Sequence, residues 1–320
     1  MFQLNHHVTT VVRRIASETD RVRVYELSDP DDWDLPPFTP GAHIDVHLPN
    51  QMVRQYSLTG SPDDRKHYSI AVQLEPCGRG GSACMHRDVH LGDILPVSLP
   101  RNNFPLAIDA EHHLFIAGGI GITPFLPMIE TLVHASANFE LHYCTREPGM
   151  TPFRDRLDAM SPAGTVKYYH DGGTPSRGLN VAALLRSERR REHVYCCGPE
   201  ALMVDVAKAT AGRQSGTTHF EFFGARQAIG STDPAGYEVK LARSGKVVAV
   251  APGQTMLAAL REAGVEIDAS CEGGVCRTCR TRYVSGVPLH RDLVMTSDER
   301  REFITPCVST SAGPLLILDL

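Results

Sequence analysis

Length and two changes in sequence texture predict a multidomain protein of α/β and β class. A chain of 320 residues is long enough for two or three domains. Short alternating apolar runs give way to a strand–helix rhythm, and a Gly- and Pro-rich stretch then precedes a cysteine-rich end. We expect an antiparallel β domain over 1–107, a doubly wound parallel-sheet domain over 108–223, a linker over 224–236 and a small domain over 237–320.

The first segment contains short runs of alternating apolar residues, separated by Pro and Gly clusters. Clear examples are Arg21–Leu27, Ala42–Leu48, Tyr68–Leu74 and Asp93–Leu99. Short strands at this spacing are typical of an antiparallel barrel or sandwich.

In the second segment, strands alternate with helices. A buried-strand run at His113–Ala117 leads through a glycine turn into a helix that extends to about Val133. The later predicted elements are strands at Phe139–Cys144, Thr165–Tyr169 and His193–Cys197, and a helix at Pro199–Ala211. This alternation predicts a parallel sheet with helices on its faces.

The third segment follows the linker GARQAIGSTDPAG, whose small, polar residues are broken by Gly and Pro. It opens with a predicted hairpin, Val239–Ala242 and Lys246–Val250. A helix is expected at Thr255–Ala263, with Gly264 as its C-terminal stop.

Charge and hydropathy exclude some classes of partner. The net charge of −5 provides no basic footprint for nucleic acid. No apolar run reaches the ~20 residues that cross a bilayer, and Met1–Ile15 lacks the apolar core of a signal peptide. We expect a monomeric cytoplasmic protein with neither a nucleic-acid nor a membrane partner.

Four of the nine cysteines form a metal-ligand pattern. Cys271, Cys276 and Cys279 are separated by four and then two residues, and Cys307 lies further downstream. This is the plant-type ligand spacing for a 2Fe–2S cluster. A structural zinc site is the alternative, although zinc ribbons usually pair two Cys-x2-Cys knuckles. The other five are interpreted as buried or inert thiols: Cys77, Cys84, Cys144, Cys196 and Cys197.

A short run in the first segment resembles the Arg-x-Tyr-Ser signature of the ferredoxin–NADP reductase superfamily. It comprises Arg54, Gln55, Tyr56 and Ser57. The resemblance implies that Tyr56 flanks a flavin ring, that Ser57 hydrogen-bonds near its reactive nitrogen as a catalytic residue, and that Arg54 binds the flavin phosphate. An ordinary strand end is the alternative.

A glycine-rich run after this signature has the composition of an anion-binding nest. Gly80 and Gly81 let backbone amides approach a phosphate, and Ser82 can donate its hydroxyl. A helix at Ala83–His90 adds its N-terminus. One nest and one arginine suit the single phosphate of FMN better than FAD, although a plain Gly-rich turn is the alternative.

The glycine turn of the second segment is the first candidate nicotinamide motif. Gly118, Gly119 and Gly121 permit close approach of a ligand, with Thr123 expected as the helix N-cap and Pro124 as the first helical residue. It is not a GxGxxG fingerprint. The superfamily resemblance implies that this run packs between pyridine nucleotide and flavin, and makes Thr123 a candidate catalytic residue.

A second candidate motif follows the fourth strand of that segment. Cys197, Gly198 and Pro199 resemble the second nucleotide motif of the superfamily, with Cys197 near the hydride path. Phe223, in the run HFEFF, is expected to approach the flavin, and strand-end core is its alternative role.

The choice between NADH and NADPH depends on charges near the adenosine ribose. Arg146 and Arg154 are expected to flank that edge, and Asp171 would repel a 2′-phosphate if it faces the same edge. The family preference, which we follow, is NADH.

Taken together, these motifs resemble the phthalate dioxygenase reductase-like family over essentially the whole chain, and His290-Arg291-Asp292 also resembles that family. The resemblance implies an FMN-binding barrel, a β-grasp 2Fe–2S ferredoxin domain, and electron flow from NADH through FMN and the cluster to a separate Rieske-type oxygenase. Arg277 departs from the family's usual glycine, on the face expected to dock the oxygenase. The alternatives are another acceptor, such as a cytochrome P450, or a non-catalytic redox sensor.

Overall fold

The computed structural model describes residues 7–214, 216–223, 236–269, 274, 279–292 and 295–320, except for the side chains of Pro162 and Pro175. It contains two compact units, Met1–Glu221 (unit 1) and Phe222–Leu320 (unit 2). The strands of unit 1 are β1 (His7–Thr19), β2 (Val22–Ser28), β3 (His43–His47), β4 (Val53–Ser57), β5 (His67–Gln73), β6 (Ile94–Ser98), β7 (His112–Gly118), β8 (Phe139–Thr145), β9 (Thr165–His170), β10 (Glu192–Cys197) and β11 (Thr218–Glu221). Its α-helices are α1 (Gly81–Asp88), α2 (Phe125–His134), α3 (Arg154–Met160), α4 (Val181–Leu184) and α5 (Glu200–Ala209).

The first half of unit 1 is an antiparallel barrel. Its six strands follow the order β4-β3-β6-β1-β2-β5. A bridge between Leu58 and Ile70 joins the two end strands, and the Thr59 amide donates to the Ser69 carbonyl at 2.8 Å. Closure removes exposed sheet edges and decides between barrel and sandwich.

The second half of unit 1 is a parallel sheet with strand order β11-β10-β7-β8-β9. Its register aligns Ala117 with Cys197, and Cys197 with Glu221. The carboxyl ends of β7, β10 and β11 therefore meet at one edge of the sheet, where open α/β sheets bind their ligands.

A shared apolar cluster joins the barrel to the sheet within unit 1. Val22, Ala71 and Phe104 from the barrel side pack in the same buried cluster as Phe115 and Phe125. Gly41 permits this packing, because an ideal Cβ there would lie 2.6 Å from the Met128 Cε atom on α2.

The described residues of unit 2 form a five-stranded mixed sheet, a separate two-stranded sheet and one α-helix. Its elements are β12 (Tyr237–Leu241), β13 (Val247–Val250), α6 (Met256–Glu262), β14 (Thr281–Ser285), β15 (Pro288–Leu289), β16 (Phe303–Ile304), β17 (Thr310–Ser311) and β18 (Leu315–Leu318). The main sheet has the order β13-β12-β18-β14-β16, with β12 and β18 parallel at its centre. Thr255 caps α6 by accepting the Ala258 amide at 3.1 Å, as expected for this residue type.

Among the described residues, every helix is too short or too polar to span a lipid bilayer.

Candidate redox centres

Arg54 and the glycine-rich run meet at the start of α1. An ideal Cβ on Gly81 would lie 2.6 Å from Arg54 Nε and 2.8 Å from Arg54 Cγ, so only glycine lets the arginine stem lie against the helix start. Gly80 occupies the left-handed region, with φ of 89°, and α1 has no side-chain cap. A cation beside an uncapped helix N-terminus is a suitable cradle for one phosphate.

Ser82 ties this cradle to the adjoining strand. The Glu75 amide donates to Ser82 Oγ at 3.0 Å. A hydroxyl that accepts one hydrogen bond still carries its own hydrogen as a donor, so Ser82 retains the chemistry expected of it.

Ser57, the last residue of β4, contacts an acid that the sequence analysis did not select. Ser57 Oγ donates to Glu221 Oε2 at 3.4 Å. Burial raises the pKa of Glu221 to about 8, because removal from water disfavours the charged form. The carboxyl therefore holds a proton at neutral pH. Its signal in the sequence is a lone acid among the aromatics of HFEFF.

Tyr56 lies beside Ser57 on β4 and is half-buried. Burial raises the pKa of its hydroxyl above the ordinary value, so the side chain is neutral at physiological pH. It provides an uncharged aromatic surface next to the Arg54 cradle.

The two candidate nicotinamide motifs are in backbone contact. An ideal Cβ on Gly198 would lie 2.9 Å from Gly118 Cα, and one on Gly121 would lie 2.2 Å from the Cys197 carbonyl oxygen. The ends of β7 and β10 can approach this closely only because glycine occupies these positions.

The expectation that Thr123 caps the helix is wrong. A 3-10 turn over Gly119–Ile122 precedes it, and Thr123 has right-handed helical backbone angles. Its hydroxyl donates to the Ile120 carbonyl at 3.0 Å, and Pro124 precedes the first residue of α2 instead of being that residue. The helical path begins before Thr123, so an extended N-cap conformation is unavailable to it.

Cys197 and Phe223, two further predicted site residues, differ in their exposure to solvent. Cys197 is completely buried, and burial with the nearby Glu221 raises the pKa of its thiol well above the ordinary value. The thiol is neutral and shielded from water. Phe223, two residues beyond β11, is 45% exposed.

A cavity of about 620 Å³ opens at the carboxyl edge of the parallel sheet. It is lined by four predicted cofactor residues, Gly118, Gly119, Arg146 and Pro199, and also by Asp171. Its size falls within the usual range for small-molecule sites. The barrel contributes to the wall as well, through Arg21, Gln73 and Glu75.

Two of the charged residues predicted near the adenosine edge line this cavity. Asp171 shares it with Arg146 and accepts the Gly173 amide at 2.7 Å. A carboxylate beside the adenosine ribose would repel a 2′-phosphate, and it can accept a hydrogen bond from a ribose hydroxyl. Arg154 does not line this cavity: its guanidinium lies 5.0 Å from the Tyr168 ring centroid and pairs with Asp158, so only Arg146 of the two arginines lies there.

In unit 2, two of the predicted metal ligands converge. Cys279 Sγ and Cys307 Sγ lie 3.3 Å apart, and both are buried against Leu257 of α6. The Leu257 amide donates to the Pro306 carbonyl at 3.0 Å, which fixes the loop that carries Cys307. Two thiols at this separation fit neighbouring ligands of one metal ion. Cys271, Cys276 and Arg277 lie outside the described residues.

Comparisons with known proteins match both units. Residues 115–208 match the oxidoreductase NAD-binding domain, and residues 239–311 match the 2Fe-2S iron-sulfur cluster binding domain. Phthalate dioxygenase reductase of Burkholderia cepacia is 41% identical, with 92% of each chain covered. The chain belongs to the phthalate dioxygenase reductase-like family.

Further relatives of this family match along the full chain. The reductase subunit of tert-butanol monooxygenase / tert-amyl alcohol desaturase from Aquincola tertiaricarbonis is 38% identical, with complete coverage of both chains. A solved phthalate dioxygenase reductase, described as a modular structure for electron transfer from pyridine nucleotides to [2Fe-2S], gives a TM-score of 0.77 at 38% identity, with 98% of each chain covered. A type IV self-sufficient cytochrome P450 monooxygenase gives 0.82 at 35% identity, over 98% of this chain and 41% of that one.

As a family member, the chain is an NADH-dependent oxidoreductase with FMN and a 2Fe–2S cluster as cofactors. When bound, FMN would accept the two electrons of a hydride and release them one at a time, which would link a two-electron donor to a one-electron carrier. The residues present fit these groups: a one-phosphate cradle at Arg54 and Gly81, a cavity at the sheet edge, and converging thiols at Cys279 and Cys307.

Proposed function

We propose that this protein is the reductase component of a Rieske-type oxygenase system. It takes electrons from NADH and passes them, by way of FMN and the 2Fe–2S cluster, to a separate oxygenase polypeptide. The observation that carries the proposal is the end-to-end match to an oxygenase reductase subunit, which covers the whole of both chains.

In this proposal, the barrel of residues 1–107 holds FMN. Arg54 and the cradle residues Gly80, Gly81 and Ser82 bind its phosphate, and Tyr56 flanks its ring. Ser57 orients the protonated Glu221 carboxyl, which holds a proton at Oε1 or Oε2 for the flavin edge.

The domain of residues 108–223 binds NADH in the cavity at the sheet edge. Gly118, Gly119, Gly121, Gly198 and Pro199 contact the nucleotide; the close packing of Gly121 and Gly198 against neighbouring backbone fixes the two turns, and Gly119 has open space beside its Cα. Arg146 and Asp171 face its adenosine end. The remaining proposed contacts near the nicotinamide are Thr123, Pro124 and Cys197, and Phe223 approaches the flavin.

The segment 224–236 is a linker in this account, and residues 237–320 form the ferredoxin domain that holds the cluster through Cys271, Cys276, Cys279 and Cys307. The surface around the first three cysteines, with Arg277, docks the oxygenase. The protein acts as a cytoplasmic monomer without a nucleic-acid partner.

A second candidate function is the same electron path serving a cytochrome P450. It is favoured by the solved P450 monooxygenase that contains a region similar to this chain at 35% identity. Coupled assays with a purified Rieske oxygenase and with a P450, each supplied with its own substrate, separate the two functions.

The electron path is tested with NADH and cytochrome c. We expect the FMN-loaded protein to reduce cytochrome c. In Cys279→Ser this rate should fall at least about tenfold, because loss of a ligand removes the cluster that passes single electrons to the acceptor. The variant should retain FMN and NADH-dependent ferricyanide reduction. Cys77→Ser, at an exposed cysteine outside the cluster pattern, is the control and should match the wild type. Unimpaired cytochrome c reduction by Cys279→Ser would contradict the path.

A further inference from the structure

Arg156, on α3, forms two hydrogen bonds that connect the two halves of unit 1. Its Nη1 atom donates to the Thr59 carbonyl at 2.7 Å, and its Nη2 atom donates to Glu130 Oε2 at 2.6 Å. Thr59 lies two residues beyond Ser57, the last residue of the barrel strand that carries the Arg-x-Tyr-Ser run. Glu130 lies on α2, which follows the glycine turn of the nicotinamide motif.

Both partners belong to well-fixed parts of the fold. Thr59 is buried, and its amide and hydroxyl both donate to the Ser69 carbonyl, at 2.8 and 3.1 Å. On α2, the residues next to Glu130 in the core, Met128 and Ile129, are fully buried. The guanidinium therefore connects two buried parts of the fold, the chain at Thr59 and helix α2.

A second contact holds the start of α3 to the barrel. The Phe153 amide donates to Glu18 Oε2 at 3.1 Å, and Glu18 lies on β1. Phe153 is buried with φ of 62°, a left-handed conformation that is strained for a non-glycine residue. The fold thus keeps a strained residue where its amide can reach the barrel, three positions before Arg156.

We propose that Arg156 is a positioning residue that sets the distance between the flavin site on β4 and the nicotinamide site at the β7–α2 turn. The inference rests on the proposed function. A hydride passes only between atoms in near contact, and a 1 Å misplacement costs about 100-fold in rate. Arg156 touches neither cofactor site and acts through Thr59 and Glu130.

Arginine suits this role because its planar fork presents donors in two directions. A lysine keeps the charge but offers one compact group, which can satisfy Thr59 or Glu130 but cannot span both in the same geometry. Arg156→Lys is accordingly a conservative variant that preserves the charge and loses one half of the bridge.

The test uses FMN-loaded Arg156→Gln and Arg156→Lys. Anaerobic mixing with NADH gives the rate of flavin reduction, NAD⁺ binding gives a Kd without turnover, and hydrogen exchange reports on residues 57–70. We expect flavin reduction to slow by at least about tenfold in Arg156→Gln and less in Arg156→Lys, with FMN content and the Kd for NAD⁺ changed less than about twofold. Exchange in 57–70 should quicken in Arg156→Gln.

The matched control is Arg190→Gln, which removes an arginine that pairs with Glu111 at 2.9 Å and is 81% exposed on the same half of unit 1. It should leave all these measurements unchanged. An unaltered reduction rate in Arg156→Gln, or a loss explained by weaker FMN or NAD⁺ binding, would overturn the inference. If Arg156→Gln does not fold, the same criteria apply to Arg156→Lys.

Failure of the proposed function gives a different result. In that case NADH does not reduce the wild-type protein itself, and hydrogen exchange alone tests whether Arg156 links Thr59 to Glu130. Unchanged exchange in 57–70 of Arg156→Gln would then reject it.

Discussion

Glu221 is the residue whose chemistry depends most on the fold. It lies 164 positions from Ser57 in sequence, yet their side chains share a hydrogen bond. Burial raises the pKa of its carboxyl to about 8, from an ordinary value of 4.5. The folded-state pKa lies above the unfolded value, so the contribution of this carboxyl to the free energy of unfolding is fully present below about pH 4.5. That contribution is lost as the pH rises through about 8.

Glu221→Gln should remove this pH dependence. Glutamine keeps a carbonyl acceptor for Ser57 but does not ionise. One pKa unit corresponds to about 1.4 kcal/mol, and after a discount for partial exposure we expect the variant to gain about 2 kcal/mol of unfolding free energy over the wild type between pH 5 and pH 8.5. Urea unfolding followed by circular dichroism measures this. Exposed Glu188→Gln is the control, and parallel stability curves for Glu221→Gln and the wild type would count against a raised pKa.

At the scale of elements, the sequence predicts the structure correctly where local pattern and packing agree. Four of the five strands of the parallel sheet, β7 to β10, were located to within one residue at each end, because apolar and aromatic residues recur along each of them, whereas β11 was not predicted. The sequence did not predict β1 (His7–Thr19), whose core-facing residues are interrupted by exposed Arg13 and Arg14. The 3-10 turn before Thr123 was also not foreseen, since glycine-rich sequence permits several backbone paths.

The meeting of β4 with α1 could be expected only in outline from the two motifs. Their residues suggested a shared phosphate, but the contact between Gly81 and Arg54 depends on how the barrel folds. Local sequence carries no signal for such non-local contacts, and the same applies to Ser57 with Glu221 and to Arg156 with Thr59.

Gly81→Ala tests that junction. Alanine has the highest helix propensity, so α1 should persist when its first residue is changed, whereas the new Cβ must displace Arg54. Loss of one charge-assisted hydrogen bond costs about 1.5–3 kcal/mol, so FMN should bind at least about tenfold more weakly. Fluorescence titration of the apoprotein with FMN measures the Kd. Gly149→Ala, where an added Cβ meets nothing within 4 Å, is the control; an unchanged Kd in Gly81→Ala would argue against the cradle.

For the whole molecule, the order of sites along the chain explains the proposed activity. The FMN cradle and the nucleotide cavity share unit 1, where Glu75 lines the cavity and also bonds Ser82 of the cradle. The converging cysteines Cys279 and Cys307 belong to unit 2. The order of these sites was readable from motifs and spacing, whereas the bonds that hold unit 1 together required the structure.

The central claim is that electrons from NADH reach the cluster by way of FMN. The most direct measurement is anaerobic mixing with NADH, followed by electron paramagnetic resonance of the reduced 2Fe–2S cluster. The signal should develop in the FMN-loaded protein, be absent when FMN has been removed, and return when FMN is restored. A cluster that NADH reduces equally well without FMN, or does not reduce in the fully loaded protein, would contradict the account.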